Sequence, residues 1–368
     1  MGSCNMLTLQ VGRLKEYLSS VYKGDVEIRS VGKFGKKKRP EKELKGFGYG
    51  VLYIIEFAVK GETKRVILET VRPEGFGHDH FSDRAQILLW QHSSFNKLPK
   101  HVRSVDVGAF TVDGNLKSVG DCAEFFIVTE MVEGKPYYQD LDRIREQKSL
   151  AQLDKDRCRA LSDYIVQVHA VKKGAPELYV RRIRDLLGHG ECIMGLTDSY
   201  PPGLDYVTEE EIVEIEKKCL EWRWRLKRKA HRCSRVHGDY HPWNVLFRKG
   251  TDFTVLDRSR GEWGEPADDT SCMTINYLFY SLQTYGKLTG PFETLFNLFW
   301  KSYLDKTGDE EMLTAIQPFY AWRGLIIASP IWYPSLSFDV RAKLFSFIRN
   351  VLETEKIDLT DINSYIES

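Results

Sequence analysis

The sequence lacks the cysteine pattern of a disulfide-stapled or zinc-binding protein. Its 368 residues include seven cysteines, an odd number, and no two of them form a C-x-x-C pair. Scattered cysteines of this kind are typical of reduced thiols in a cytoplasmic protein, because disulfides persist in oxidising compartments. We therefore expect a cytoplasmic protein without a disulfide framework.

Long apolar runs and an excess of one sign of charge are also missing. No segment approaches the ~20 apolar residues that a membrane-spanning helix needs. The 53 basic and 52 acidic side chains nearly cancel, leaving a net charge of +1. A chain with so little net charge is not adapted as a whole to nucleic acid or to an anionic membrane. We expect neither as a partner.

The first part of the chain has the pattern of a small antiparallel sheet. β-branched runs at 50–59 and 65–71 are separated by the turn K-G-E-T, which predicts a hairpin. The segment 81–90 has a helical pattern, and the apolar run EFFIVTEM at 124–131 predicts a further buried strand. We expect a strand-rich N-terminal lobe over residues 1–130.

Helical periodicity dominates the rest of the chain. A helix is predicted to end near His169, and Thr208 with Glu211 forms a capping box at the start of another helix. The length exceeds one usual core, so two lobes are expected. We expect a hinge at 131–136 and a mainly helical C-terminal lobe over 137–368.

The segment VHGDYHPWNVLF, residues 236–247, places four polar residues close together, namely His237, Asp239, His241 and Asn244. Its apolar end reads as a strand that turns and returns. With Gly250–Thr251 at the centre of this hairpin, partner numbers sum to 501 and Asn244 lies opposite Asp257. Asp239 belongs to the loop just before the hairpin. The pattern thus predicts three oxygen-bearing side chains at one end of the hairpin.

Such a group of oxygens suits phosphoryl transfer. Mg²⁺ prefers a few protein oxygens and completes its shell with phosphates and water. Asp257 would supply an anionic ligand and Asn244 a neutral one, while Asp239 is left to accept the proton of a hydroxyl. This division of roles matches the kinase arrangement, in which one Asp positions the acceptor and an Asn and a later Asp hold the metal.

The motif HGDYHPWN, followed by VLDRSRGEWGEPADD, resembles the signature of the aminoglycoside phosphotransferase and choline kinase-like family. The segments LSDYIVQVHA and EMVEGKPY resemble the family's helix before this loop and its interlobe hinge. The resemblance implies an α+β, bilobal protein-kinase-like fold. It also implies transfer of the γ-phosphoryl group of ATP or GTP, with Mg²⁺, to a hydroxyl of a small molecule. It does not identify the acceptor or the oligomeric state.

The resemblance also implies roles for individual residues. Asp239 would be the catalytic base, and Asn244 and Asp257 the magnesium ligands. Asp269 would be the family's downstream structural carboxylate. The two histidines of the loop are predicted to support it, although a contact with the acceptor stays open for the second. These loop-supporting residues are His237, His241 and Asp269. At the hinge, the backbone of Glu130, Met131 and Val132 is expected to contact the adenine.

The N-terminal lobe departs from the kinase pattern at one position. Kinases carry a Lys on the third strand that holds nucleotide phosphates, whereas this strand has Glu69 at the expected place. Arg72 and Lys45 are the candidate replacements. Lys45 belongs to the basic, glycine-rich segment 33–50, where a nucleotide-covering loop is expected. Arg84 is also a candidate partner for Glu69 in an ion pair.

Two other functions stay open. Glu69 would also suit a nucleotide-binding pseudoenzyme or regulatory protein, and a kinase that acts on protein hydroxyls is a third hypothesis. The acceptor pocket is expected from the insert 186–207 and the helices after Thr274. Glu262 and Glu265 could meet a cationic acceptor there, but Glu265 could equally be structural.

Overall fold

The computed structural model describes residues 9–33, 50–73 and 75–367. The chain divides into two compact units, residues 1–129 and 130–368. Within the described part of the chain, no helix has the length and apolar character needed to cross a membrane. The basic segment that contains Lys45 lies almost entirely outside the described residues.

The N-terminal unit is built on a three-stranded antiparallel sheet in the order β1-β2-β3. The second and third strands pair in the predicted hairpin, with Val59 opposite Glu62. Lys60 and Gly61 form its two-residue turn, and both have positive φ, as tight hairpin turns of this length require. The elements up to this point are α1 (Val11–Tyr22), β1 (Val26–Lys33), β2 (Gly50–Val59) and β3 (Glu62–Val71).

Helix α1 covers one face of this sheet. Leu14 and Leu18 lie one turn apart on the helix and are buried against Ile55, Phe57 and Val59 of β2. This small apolar cluster is the core of the N-terminal unit. Helix α2 (Phe81–Phe95) and the short strands β4 (Gly108–Phe110) and β5 (Leu116–Ser118) complete the unit.

The strand expected at 124–131 is absent, and this prediction was wrong. These residues have no regular secondary structure, and the side chains of Phe126, Ile127 and Val128 are more than four-fifths exposed. An apolar run becomes a strand only where a neighbouring strand pairs with its N–H and C=O groups. None of the strands in the described residues does so here.

The C-terminal unit is mainly helical. It contains a small three-stranded sheet in the order β6-β8-β9, and β7 pairs separately with β10. The elements are β6 (Lys135–Pro136), α3 (Tyr138–Gln147), α4 (Gln152–His169), α5 (Pro176–Gly188), α6 (Ile193–Thr197), α7 (Glu209–Leu226), β7 (Ser234–Arg235), β8 (Val245–Phe247), β9 (Phe253–Val255), β10 (Trp263–Gly264), α8 (Ala267–Tyr285), α9 (Gly290–Thr307), α10 (Gln317–Ala328) and α11 (Phe338–Glu353).

Helix α7 begins as its sequence predicts. The Thr208 hydroxyl accepts the Glu211 N–H at 3.2 Å, and the Glu211 carboxylate accepts the Thr208 N–H at 2.8 Å. Helix α8 differs from α7 because its first 16 residues are all buried. A helix with no solvent face must pack on every side, and α9, α10 and α11 surround it. The α+β class, with an antiparallel N-terminal sheet and a mainly helical C-terminal unit, is confirmed.

The β8–β9 hairpin has a different register from the one predicted. Val245 pairs with Val255 and Phe247 with Phe253, so partner numbers sum to 500 rather than 501. The cause is the turn, which holds three residues and uses Gly250 at φ 64°. Asn244 is therefore level with Leu256, and Asp257 lies one residue beyond it.

Candidate active site

The loop 236–244 is held at both ends by short strands. Before the loop, β7 pairs with β10, and the Val236 N–H donates to Glu262 O at 3.0 Å. After the loop, β8 pairs with β9 and with β6. The start of α8 passes beneath the loop and supplies the carboxylate that fixes it.

That carboxylate is Asp269, which is fully buried. Its two oxygens accept the N–H groups of His237 and Gly238, each at 2.7 Å. The His169 Nε2–H also donates to it, at 3.0 Å. Burial by itself raises the pKa of Asp269, but the hydrogen bonds from His169 and from the His237 backbone hold the pKa below its usual value. Asp269 is thus an anion whose bonds fix the loop backbone, and His169, at the end of α4, orients it.

Asp239 is nine-tenths buried and lies between cations. Arg323 from α10 donates to its Oδ1 at 2.8 Å, and Arg260 forms an ion pair with the same oxygen. Burial raises the pKa of Asp239, but the polar contact with His241 and the charges of both arginines outweigh it and hold the pKa far below its usual value. Asp239 is therefore ionised throughout the physiological range.

The two loop histidines have different positions. His237 is buried, and its Nδ1 accepts the Asp239 N–H at 3.3 Å, while burial lowers its pKa and favours the neutral ring. The His241 Nδ1 accepts the Trp243 N–H at 3.2 Å. Its Nε2 faces Asp239 Oδ2 at 3.6 Å. His237 shapes the loop, whereas His241 also touches the carboxylate.

Asn244 uses its amide nitrogen to close the loop. Its Nδ2 donates to the Asp239 carbonyl oxygen at 3.0 Å, which leaves the Asn244 side-chain oxygen without a partner among the described residues. Asp257 is exposed, and its carboxylate likewise has no partner within the described ranges. Two side chains with oxygens that no described residue contacts therefore lie at the open end of the hairpin, Asn244 just before β8 and Asp257 shortly after β9.

The backbone of Asp257 is unusual. Its φ is 53°, in the left-handed region that few non-glycine residues adopt. Asp tolerates this conformation better than most residues, at a cost of about 1 kcal/mol. Such local strain persists where the surrounding structure imposes it, and it occurs often at functional sites. Here the strained residue has a carboxylate that contacts no partner in the part of the chain that the structure describes.

The acidic residues after β10 serve the interior of the protein. Glu265 is fully buried and receives two parallel bonds from Arg232, so it has the structural role that the sequence left open. Asp268 accepts from Arg182 at 2.6 Å and from Arg323 at 2.8 Å. Neither carboxylate is free to meet a cationic acceptor.

The arginines around Asp239 were missed by the sequence motifs. Arg182, Arg260 and Arg323 come from three separate segments, and only the fold brings them together. One signal was available, because Arg323 stands alone in the apolar stretch QPFYAWRGLIIA. An arginine is rarely buried unless it is paired, so an arginine in such a helix indicates a buried carboxylate partner.

The expected nucleotide-binding residues are less enclosed. Met131 is almost fully exposed, and the backbone groups of Glu130, Met131 and Val132 make no hydrogen bond to any described residue. Arg72 is exposed directly after β3. Lys45 lies outside the described residues.

The β3 position expected to hold a lysine holds Glu69, whose carboxylate lies against Gly50 of the neighbouring strand. The suggested Glu69–Arg84 ion pair is not formed. Arg84 instead donates to the carbonyls of His78 and His80 at 2.8 and 2.9 Å, where it braces the start of α2.

Comparison with known families agrees with the loop chemistry. Residues 102–282 match the model of the phosphotransferase enzyme family APH, and this segment contains the loop, the hairpin and Asp269. The family recognised from the motifs is thus confirmed, and with it the prediction of a phosphotransferase. Arg323 lies outside the matched segment. No curated protein matches the sequence.

Solved structures with a similar course of the chain include three small-molecule kinases. An amicoumacin kinase is 16% identical to this chain. The match covers 84% of this chain and 89% of the kinase chain, with a TM-score of 0.42. The Plasmodium vivax ethanolamine kinase is 12% identical over 86% and 78% of the two chains, with a TM-score of 0.35. The Cryptosporidium parvum choline kinase is 12% identical over 93% and 86%, with a TM-score of 0.34.

Proposed function

We propose that this phosphotransferase moves the γ-phosphoryl group of ATP to a hydroxyl of a small molecule, with Mg²⁺ as cofactor. The observation that carries the proposal is that three side chains near one hairpin have different environments. Asp239 is buried and anionic, while Asn244 and Asp257 keep uncommitted oxygens beside it. A plain surface turn accounts for neither feature.

Asp239 orients the acceptor. Its Oδ2 is the oxygen that the arginines leave open, and a hydroxyl that donates to it is aligned for attack on the γ-phosphorus. A carboxylate with so low a pKa is a weak base, so its main contribution is positioning rather than early removal of the proton. Transfer forms the bond from acceptor oxygen to phosphorus, breaks the bond from the γ-phosphorus to the bridging oxygen, and releases the hydroxyl proton.

Asn244 and Asp257 fit a magnesium ion. A hard divalent cation takes oxygen ligands, and these two residues offer one neutral and one anionic oxygen that no described residue occupies. When bound, the ion supplies charge neutralisation for the phosphates of the nucleotide. The Asn244 amide nitrogen is already fixed on Asp239, which holds the side-chain oxygen in one orientation.

On the nucleotide side, we propose that the free backbone groups of Glu130, Met131 and Val132 bind the base. Arg72 and Lys45 are the proposed cations for the phosphates, in place of the lysine that Glu69 replaces. ATP is the first choice, and GTP stays an alternative. A cytoplasmic location and the lack of a nucleic-acid or membrane partner stay predictions.

A nucleotide-binding pseudoenzyme is the second candidate, favoured by the acidic Glu69 on β3. A thermal-shift series with ATP, GTP and Mg²⁺ followed by assays of phosphoryl transfer separates the two functions. Binding without transfer to any small molecule or protein supports the pseudoenzyme. Incubation with labelled ATP and a lysate, followed by separation of metabolites from proteins, also tests the less favoured protein kinase.

The decisive experiment is a screen of hydroxylated metabolites by coupled ADP release, with two variants beside the parent. Asp239→Asn removes the orienting carboxylate and is expected to lower kcat by about 10² to 10⁴-fold while Mg-nucleotide still binds. Asp252→Asn removes an exposed carboxylate from the same hairpin and is expected to keep parental turnover. Equal turnover of Asp239→Asn and the parent would contradict the proposed mechanism.

A further inference from the structure

Three guanidinium groups surround one side of the candidate active site. Arg182, Arg260 and Arg323 have their guanidinium carbons 6.0, 5.2 and 3.8 Å from the centre of the same ring, that of Trp322. They come from α5, from the segment after β9, and from α10. Trp322 is fully buried, so its ring fixes the arginines at the inner wall of the site.

The buried charges of this group do not cancel. Two buried carboxylates, Asp239 and Asp268, face the three arginines. The only other carboxylate that the described residues place on them is Glu191, whose side chain is more than half exposed and reaches Arg260 at 3.2 Å. An exposed carboxylate is well hydrated and contributes little to a neighbouring ion pair. The buried part of this group therefore has three positive and two negative charges, and only the exposed Glu191 balances the third arginine.

Each of the three arginines also has a buried donor nitrogen without a hydrogen-bond partner among the described residues: Nε of Arg182, Nη1 of Arg260 and Nε of Arg323. Arg182 and Arg323 are more than nine-tenths buried. A buried donor without an acceptor is costly, and a guanidinium group offers donors only. A ligand that satisfies these groups must bring acceptor oxygens, and an anionic group does so most strongly.

Arg260 is the arginine best placed to exchange partners. It keeps 15% of its side chain exposed, whereas the side chains of Arg182 and Arg323 keep 8% and 4%. Its ion pair with Asp239 uses the same carboxylate oxygen as Arg323. If Arg260 moved to an anion on the acceptor, Asp239 would keep Arg323 as its counterion and gain room for the hydroxyl.

We propose that the acceptor carries an anionic group, a carboxylate or a phosphate monoester, close to its reacting hydroxyl, and that Arg260 binds this group. The proposal rests on the phosphotransferase function proposed above, whose acceptor it specifies. It assigns the inner wall of Arg182, Arg260 and Arg323 to an acid rather than to an amine. A cationic acceptor would have to approach three guanidinium groups that face only two buried carboxylates.

Binding is tested first, without any need for turnover. The full chain is titrated with sodium sulfate and with glycerol 3-phosphate at constant ionic strength, and the shift in thermal midpoint is followed. The variants are Arg260→Gln and Arg184→Gln, the latter removing an exposed arginine of α5 outside the group. We expect the parent and Arg184→Gln to bind both anions, and Arg260→Gln to bind them about 10 to 100-fold more weakly. Equal responses of all three proteins overturn the proposal.

Turnover is tested with acceptor pairs that differ only in charge. Hydroxy acids are compared with their amides, and glycerol 3-phosphate with glycerol and ethanolamine, by ADP release from ATP. The acids are expected to have the higher kcat/KM in the parent, and Arg260→Gln is expected to remove this preference. A preference for ethanolamine overturns the proposal.

The two tests distinguish failure of the proposal from failure of the proposed function. Transfer to neutral or cationic alcohols without Arg260-dependent anion binding leaves the phosphotransferase function intact and contradicts the anionic acceptor. Arg260-dependent anion binding without transfer to any acceptor supports the anion site and contradicts the proposed function.

Discussion

Two acidic residues of the candidate site, Asp239 and Asp257, have opposite surroundings. Asp239 is nine-tenths buried and has Arg260 and Arg323 on one oxygen. Asp257 is exposed, has no partner among the described residues and adopts a left-handed backbone. The first carboxylate is fixed before any substrate arrives, while the second keeps its oxygens for a ligand. Asp239 is thus held in place by ion pairs, whereas Asp257 is available to a ligand.

The largest expected difference is in stability. Asp239→Asn leaves two arginines facing a neutral group, and we expect the free energy of unfolding to fall by about 3 to 5 kcal/mol. Asp257→Asn removes no described contact and keeps a side chain that tolerates positive φ, so a change within about 0.5 kcal/mol is expected. Urea unfolding of both variants beside the parent measures this. Similar losses in the two variants would show that the carboxylates do not differ as described.

For nucleotide affinity, we expect the larger loss from substitution of Asp257 and the smaller loss from substitution of Asp239. Asp257→Ala removes a proposed magnesium ligand, and we expect Mg²⁺-dependent nucleotide affinity to fall by at least about 10 to 100-fold. Asp239→Asn should bind the Mg-nucleotide nearly as the parent does, because the proposed role of Asp239 is to orient the acceptor. Calorimetric titration with a non-hydrolysable ATP analogue and Mg²⁺ measures both, and titration without Mg²⁺ is the control. Unchanged affinity in Asp257→Ala would exclude it as a ligand.

The pH dependence of stability should have two steps. The pKa of His237 is lowered in the folded state, so its contribution is complete above the unfolded value of about 6.5 and declines as the pH falls below it. The pKa values of Asp239 and Asp269 are also lowered, so their contributions are present above about 3.9 and are lost as the pH falls through the folded values.

His237→Asn isolates the first step, because it keeps an acceptor for the Asp239 N–H without a group that titrates near neutrality. The loss of stability between pH 7 and pH 5.5 should be smaller in this variant than in the parent. Denaturant unfolding at a series of pH values measures the difference. Parallel curves for the two proteins would mean that His237 is not held neutral by burial.

The smallest expected effect concerns the backbone of Asp257. Alanine disfavours the left-handed conformation, whereas glycine adopts it freely. Asp257→Gly should therefore be more stable than Asp257→Ala by about 1 kcal/mol, partly offset by the greater freedom of glycine in the unfolded chain. Thermal unfolding of the pair measures this difference. If alanine were the more stable residue, the positive φ would not be imposed by the site.

Local patterns predicted much of the fold because they depend on neighbours in the sequence. The β2–β3 hairpin follows from β-branched runs around Lys60 and Gly61, and the start of α7 follows from Thr208 and Glu211. The register of β8–β9 was wrong by one residue, since the number of residues in a turn is not fixed by the apolar alternation. The strand expected at 124–131 failed because pairing requires a partner that the run itself does not specify.

The sequence by itself determined the chemistry of the loop, because Asp239, Asn244 and Asp257 lie within 19 residues and one short hairpin brings them together. Tertiary structure decided the electrostatics. Arg182 and Arg323 stand 57 residues before and 84 residues after Asp239, and packing around Trp322 brings them to the loop. Burial lowers the effective dielectric constant around these charges, so they interact more strongly there than in the unfolded chain, where water would screen them. The motif of the loop is thus encoded locally, and the charged surroundings of Asp239 arise from the fold.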